Sequence, residues 1–315
     1  MTQLGTSDLD VSTLCLGTNV FGWTADETAA HVVLDAYVAG GGTFIDTADV
    51  YSAWLDGNSG GESETIIGTW LAKHPARRDD LVVATKVSRL APNEGLGRDA
   101  ILGAADASLQ RLQTDRIDLY WAHYDDPDTP LEETLAAFGE LIDAGKVRAI
   151  GASNYSAPRL AEALALADRK GLPRYVALQP HYNLVERAGY EDALAPVVAE
   201  HDLAVVPYYG LAKGFLTGKY RPDGEAVDSP RAPAAAQYLQ RPDAVAVLDA
   251  LDAVAAARDT SPAAVALAWL AARPHVASPI ASARTVRQVD ELLAVNTITL
   301  TDAEVDELSS ATTSA

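Results

Sequence analysis

The chain of 315 residues contains one cysteine, Cys15, and one methionine, Met1. A single thiol excludes an internal disulfide and a multi-cysteine zinc site, and no metal is expected. Cys15 stands between Leu14 and Leu16, a setting that predicts a buried structural thiol. Basic residues are scarce too: 24 Lys and Arg face 44 Asp and Glu, for a net charge of −20. That balance argues against nucleic acid or an anionic membrane as a general partner. It also makes any local group of Lys and Arg informative. No apolar run reaches the ~18 residues of a membrane span, and the longest, 263–272, is short and Ala-rich. The first residues carry no basic region followed by an apolar core, so no signal peptide is expected. The composition predicts a soluble, reduced, cytoplasmic protein with a sizeable core.

Two kinds of segment alternate along the chain. Eight short apolar or β-branched runs, at 13–17, 43–46, 81–86, 117–123, 147–153, 175–179, 204–208 and 276–280, read as strands buried on both faces. Segments with helical spacing lie between them, at 26–39, 62–73, 98–112, 131–144, 157–170, 190–201, 243–258 and 285–295. Strand then helix, eight times, predicts an α/β fold with a parallel sheet, a (β/α)8 barrel in one domain over 1–315. The rival is a doubly wound dinucleotide-binding sheet, which brings a Gly-x-Gly-x-x-Gly turn after its first strand. Here that strand runs into Leu16-Gly17-Thr18-Asn19-Val20-Phe21-Gly22, which lacks the pattern. Residues 2–12 suit a hairpin closing the barrel bottom, and 261–272 an extra helix. The long stretch 210–240 after the seventh strand is of the length that usually serves function.

In a barrel of this kind the C-terminal strand ends share one mouth. The polar residues there are Asp46, with Tyr51 in the loop that follows, then Lys86, His123, Ser153, Asn154, Gln179, Tyr208 and Tyr209. Asp, Tyr, Lys and His together suggest a tyrosine proton donor. An ammonium stabilises phenolate, and a carboxylate holds the ammonium in place. Lowering a Tyr pKa from ~10 to about 7 needs roughly 4 kcal/mol, most of which one well-placed Lys can supply. His123 would orient a carbonyl by a second hydrogen bond. No nucleophile–base pair is present, which argues against hydrolysis. A proton donor without a nucleophile requires an external hydride, hence a nicotinamide.

The run Gly42-Thr43-Phe44-Ile45-Asp46-Thr47-Ala48-Asp49-Val50-Tyr51 resembles the signature of the aldo-keto reductases. Similar to their motifs, in order, are Ser63-Glu64-Thr65-Ile66-Ile67-Gly68, Val83-Ala84-Thr85-Lys86-Val87, Ile117-Asp118-Leu119-Tyr120 leading to His123, Ile150-Gly151-Ala152-Ser153-Asn154, Leu178-Gln179-Pro180 and Gly214-Phe215-Leu216-Thr217-Gly218-Lys219-Tyr220. The resemblance implies a catalytic tetrad of Asp46, Tyr51, Lys86 and His123, with Tyr51 as general acid. It implies NADPH, preferred over NADH, extended across the mouth without a Rossmann domain. Ser153, Asn154 and Gln179 would hold the carboxamide, and Tyr208 or Tyr209 would stack on the nicotinamide. Gly17, Thr18 and Asn19 would line the mouth, and Gly210, Leu211, Lys213 and Lys219 would meet the pyrophosphate. Ser282, Arg284, Gln288 and Glu291 would bind the adenosine end, where a helix N-terminus beside Arg suits a phosphate. Leu292 stands where the family often has an Asn, and Tyr209-Gly210-Leu211 replaces a common Ser-Pro-Leu.

Trp23, Trp54 and Tyr124 fall in rim loops and predict an aromatic pocket for an aldehyde or ketone. No cluster of Lys or Arg marks a carboxylate or phosphate on the substrate. Two alternatives remain. One is a cofactor-binding regulatory subunit like potassium-channel β subunits, which carry an N-terminal extension, whereas here the first strand begins by about residue 13. The other is a reductase of a nucleotide-linked keto sugar.

Overall fold

The structure, a computed structural model, describes residues 1–222 and 224–312. Two short strands, β1 (Thr2–Gln3) and β2 (Asp10–Val11), pair as the expected antiparallel hairpin. Its turn requires Gly5: φ is +53°, and an added Cβ would stand 2.2 Å from the Val176 carbonyl oxygen. Eight parallel strands follow: β3 (Cys15–Gly17), β4 (Phe44–Asp46), β5 (Val82–Val87), β6 (Ile117–Ala122), β7 (Val147–Ser153), β8 (Tyr175–Gln179), β9 (Ala204–Val205) and β10 (Ile280–Ala281). Among the described residues they form one sheet in the order β10-β3-β4-β5-β6-β7-β8-β9. A parallel bridge between Val205 and Val276 joins its two ends, with Val205 N–H donating to the His275 carbonyl at 2.8 Å. The sheet is thereby a (β/α)8 barrel.

The last strand is shorter than the expected 276–280, because Pro279 has no N–H to give the ladder. Helices α1 (Glu27–Ala39), α2 (Glu62–Lys73), α3 (Arg98–Leu112), α4 (Leu131–Asp143) and α5 (Ala157–Lys170) lie within a residue or so of their predicted spans. The expected helix at 190–201 instead opens as a wider π-turn over Gly189–Leu194 and tightens into α6 (Ala195–His201). Pro196 accounts for this, since it cannot donate to the carbonyl of residue 192. After the short rim helix α7 (Ala232–Ala236) come α8 (Ala244–Ala257), the fully packed extra helix α9 (Pro262–Ala271) and α10 (Val286–Leu293). A closing helix, α11 (Asp302–Ser310), was not expected; a full capping box of Thr301 and Glu304 starts it.

Strand alternation divides the core. Leu16, Ile45, Val83, Tyr120, Ile150 and Leu178 pack outward under the helices. Cys15, Phe44, Val82, Ala84, Leu119, Trp121, Ala149 and Ala177 fill the barrel interior, closed below by Leu4, Leu9 and Val11. The Trp121 ring packs in the interior against Gly151, where a Cβ would fall 2.3 Å from it. At the N-terminal end, buried Asp118 accepts from Val83 N–H at 2.9 Å and pairs with Arg78, Arg116 and Arg148. Position at that end marks a stability role. Asp118→Asn is expected to cost about 1.5–3 kcal/mol, read from the denaturant midpoint, with turnover of the folded fraction unchanged.

Candidate active site

The alternation that fills the barrel also builds the site. Continuing the inward parity by two residues from Phe44, Ala84, Trp121, Gly151, Ala177 and Val206 brings Asp46, Lys86, His123, Ser153, Gln179 and Tyr208 to the topmost layer. Beneath the mouth, Lys86 is fully buried. It donates to a carboxylate oxygen of Asp46, to the Thr47 carbonyl at 2.7 Å and to the Tyr51 hydroxyl at 2.9 Å. All three ammonium donors are thus used. The other Asp46 oxygen accepts from Gln179 Nε2 at 3.0 Å. Tyr51 is carried by the loop after β4, which Ser52 pins by donating to the Phe21 carbonyl at 2.7 Å.

The expected drop of the Tyr51 pKa toward 7 does not occur: burial of the phenol pushes it up to about 12. Lys86 opposes that rise, but Asp46 lies close to the ammonium and offsets much of its charge. Tyr51 is therefore a neutral O–H donor at physiological pH. Lys86 is held above its ordinary range; burial alone would lower it, and Asp46 and Tyr51 reverse the sign. His123 is pushed well down, first by burial and then by Lys86 and Arg89, so its ring is neutral. Its Nδ1 is buried and has no hydrogen-bond partner among the described residues.

A second layer braces these groups. Ser63 at the start of α2 donates to Thr18, and Glu64 beside it accepts from Thr85 at 2.5 Å and from Arg111 at 2.6 Å. These contacts account for the Ser63-Glu64 motif. Asp49, 1% exposed, lies behind them, and no side chain among the described residues donates to either of its oxygens. Burial, then the Glu64 carboxylate, raises its pKa to about 7. A carboxyl raised on folding binds its proton more tightly in the native state, so stability falls as pH rises between ~4 and 7. Asp49→Asn is expected to flatten that dependence by roughly 2–3 kcal/mol between pH 5 and pH 8. Denaturation midpoints of both proteins at those pH values measure it.

Above this layer opens a cavity of about 730 Å3, inside the ~300–1,000 Å3 range of small-molecule and cofactor sites. Of the residues nominated from sequence, all but Thr18 and Lys86 line it. Lys86 forms the floor beneath. Thr18 has the outward parity: its hydroxyl donates to the Asp46 carbonyl at 3.0 Å and so steadies the strand end. Asn154, at φ +56°, ties β6 to β7 by donating to the His123 carbonyl at 2.8 Å, and it accepts from Tyr208 at 2.9 Å. The Tyr208 ring lies parallel to His181 with centroids 5.3 Å apart, while Tyr209, at φ +55°, meets Tyr208 edge to face at 5.2 Å and is more exposed. Trp23 and Trp54 meet edge to face at 5.7 Å, and Trp54 borders Tyr51 at 6.3 Å. They form one wall, and Tyr124 beside His123 forms another.

At the β9–β10–β3 side of the mouth, Lys213, Lys219, Arg231 and Arg284 line the cavity. Burial and the neighbouring Arg284 and Arg231 push the Lys219 ammonium down. Arg231 was not foreseen; it lies in the stretch 210–240, where no sequence signal marks its side chain. It reaches across to donate to Asn19 Oδ1 at 3.0 Å and lies over the Trp23 ring. Ser282 donates to the same Asn19 oxygen at 2.9 Å, and Arg284 N–H donates to Gln288 at the start of α10. Four cations thus crowd one side of the mouth, three of them part-buried and Lys219 exposed.

The pattern defining the Aldo/keto reductase family matches residues 13–312. An uncharacterized oxidoreductase, YrpG of Bacillus subtilis, is 35% identical over 311 residues, covering 95% of this chain and 91% of that protein. Protein tas of Escherichia coli is 36% identical over 310 residues, covering 90% and 89%. A probable voltage-gated potassium channel subunit beta of Arabidopsis thaliana is 34% identical over 307 residues, covering 95% and 92%. With a matching pattern over nearly the whole barrel, the chain belongs to the aldo/keto reductase family and is an oxidoreductase of carbonyl compounds.

Proposed function

We propose that this enzyme reduces an aldehyde or ketone to an alcohol with NADPH, and that Tyr51 supplies the proton. The observation that carries the reading is the Tyr51 hydroxyl held 2.9 Å from Lys86 Nζ at the floor of an aromatic-walled cavity. Family members generally use NAD(P)H. The residues present fit such a group: the crowded cations Lys219, Arg231 and Arg284 have a need for phosphate charge that the chain itself does not meet. Ser282, Arg284, Gln288 and Glu291 would hold the adenosine end, with Arg284 at the 2′-phosphate. Lys213, Lys219, Gly210, Leu211 and Arg231 would hold the pyrophosphate. Gln179, Ser153 and the second lone pair of Asn154 Oδ1 would take the carboxamide. Tyr208 is the stacking ring, because His181 backs one face and Asn154 anchors its hydroxyl.

When bound, the nicotinamide supplies the hydride. The chain does the rest. Tyr51 and the neutral His123 point donors at one carbonyl oxygen and polarise it. Tyr51 then gives up its proton as that oxygen gains negative charge, and Lys86, held by Asp46, stabilises the phenolate left behind. Trp23, Trp54 and Tyr124 exclude water from the carbonyl.

NADPH absorbance followed against a panel of aldehydes and ketones tests the reading. Turnover with a marked preference for NADPH is expected. A preference for NADH would overturn the phosphate assignment, and no turnover with either cofactor would overturn the activity. The similarity to a protein named as a channel β subunit supports a second reading, cofactor-dependent regulation of a partner. Capture of a partner without carbonyl turnover would favour it.

A further inference from the structure

One cation in the mouth stands apart from the cluster described above. Arg89 follows Lys86 by three residues, in the loop after β5. Around the ring that loop is separated from β10 by β3 and β4, so Arg89 borders the substrate side of the mouth. It lines the same cavity as Tyr51, His123 and Tyr124. Its guanidinium lies 4.7 Å over the Tyr124 ring, and that ring is 5.1 Å from His123. Its charge reaches His123, whose pKa it helps to lower.

The guanidinium forms no hydrogen bond or ion pair with any described residue. Its backbone, by contrast, is fixed. Gly95 N–H donates to the Ser88 carbonyl at 3.0 Å, and Tyr124 N–H donates to Ser88 Oγ at 3.2 Å. Leu96 N–H donates to Asp126 at 2.8 Å. In the facing loop after β6 the carboxylates are occupied: Asp125 pairs with Arg159, and Asp126 accepts from Leu96 and Thr129. Glu94, in Arg89's own loop, is exposed and forms no ion pair with Arg89. An exposed arginine on the rim of the mouth that pairs with no described carboxylate is free to receive an anion. Stacking on Tyr124 leaves the guanidinium edge, with its forked donors, free for a carboxylate.

We propose that Arg89 selects carbonyl substrates that carry a carboxylate, placed about one aromatic ring away from the carbonyl held by Tyr51 and His123. The inference rests on the carbonyl-reductase reading and names its substrate class. The reaction balances without the carboxylate. The carbonyl carbon gains a hydride from the reduced nicotinamide cofactor, the oxygen gains a proton from Tyr51, and the carboxylate is unchanged.

A matched pair tests it: 4-formylbenzoate against its methyl ester, in the wild type, Arg89→Gln and Arg89→Lys. The wild type is expected to favour the carboxylate by about tenfold in kcat/KM, consistent with one charge-assisted contact at a partly exposed site. That ratio should fall toward one in Arg89→Gln and survive in part in Arg89→Lys. A wild-type ratio of one or less, or a ratio unchanged by Arg89→Gln, overturns the proposal. A second readout does not depend on turnover. Quenching of tryptophan fluorescence by 4-(hydroxymethyl)benzoate reports binding near Trp23 and Trp54. Carboxylate binding that is lost in Arg89→Gln, with no reduction of either aldehyde, would sustain the receptor and sink the reductase reading. Equal binding of the alcohol and its methyl ester by both proteins would sink the receptor.

Discussion

Tyr51→Phe is expected to lower kcat by roughly 10²–10⁴-fold, the range that general acid catalysis contributes. Only one oxygen is lost, and among the described residues its one hydrogen bond is with Lys86. The ring keeps its edge contacts with Trp54 and His123, so the cavity wall stays in place. The loss should therefore appear in kcat, with the dissociation constant for NADPH near the wild-type value. Burial supports the same expectation: with its pKa near 12, the phenol is protonated throughout the neutral range and the donor form is fully populated. Turnover within a few-fold of wild type would show that the proton comes from elsewhere.

Lys86→Met should damage both catalysis and folding. The ammonium is fully buried, and its removal leaves the Asp46 carboxylate 1% exposed with Gln179 as its remaining side-chain donor. Breaking a buried ion pair in this way costs about 3–5 kcal/mol. Turnover should fall together with stability, because the phenolate formed at Tyr51 loses its neighbouring charge. Adding Asp46→Asn removes the stranded charge, so the double variant is expected to recover much of the stability and none of the rate. Urea midpoints and turnover of the three proteins, measured side by side, separate the two effects. A double variant no more stable than Lys86→Met would mean the pair is not the source of the loss. Recovery of rate would remove Lys86 from the mechanism.

Much of this arrangement is legible in the sequence because parallel strands have a period of two and end at one face. Asp46, Lys86, His123 and Gln179 could be nominated from strand ends alone. The same parity separates Tyr208, which points inward, from Tyr209, and it explains why Thr18 turns away from the cavity. The chain also carries its own interruptions: Pro279 shortens the last strand and Pro196 opens the helical segment that precedes β9.

Other features are not written in local pattern. Arg231 and Arg89 belong to loops, where no periodicity says which way a side chain faces. Each becomes part of the mouth only when its loop crosses toward Trp23 or lies against Tyr124. The sign of the Tyr51 shift is of the same kind. Sequence supplies the neighbouring Lys, but burial and the closeness of Asp46 outweigh it, and both are properties of the packed barrel. The sequence by itself determined the barrel, the family and the inward-facing polar layer, because alternation and spacing are local. The tertiary structure alone decided how those groups are charged and which loop arginines join them, because desolvation and contacts across the mouth exist only once the ring is closed.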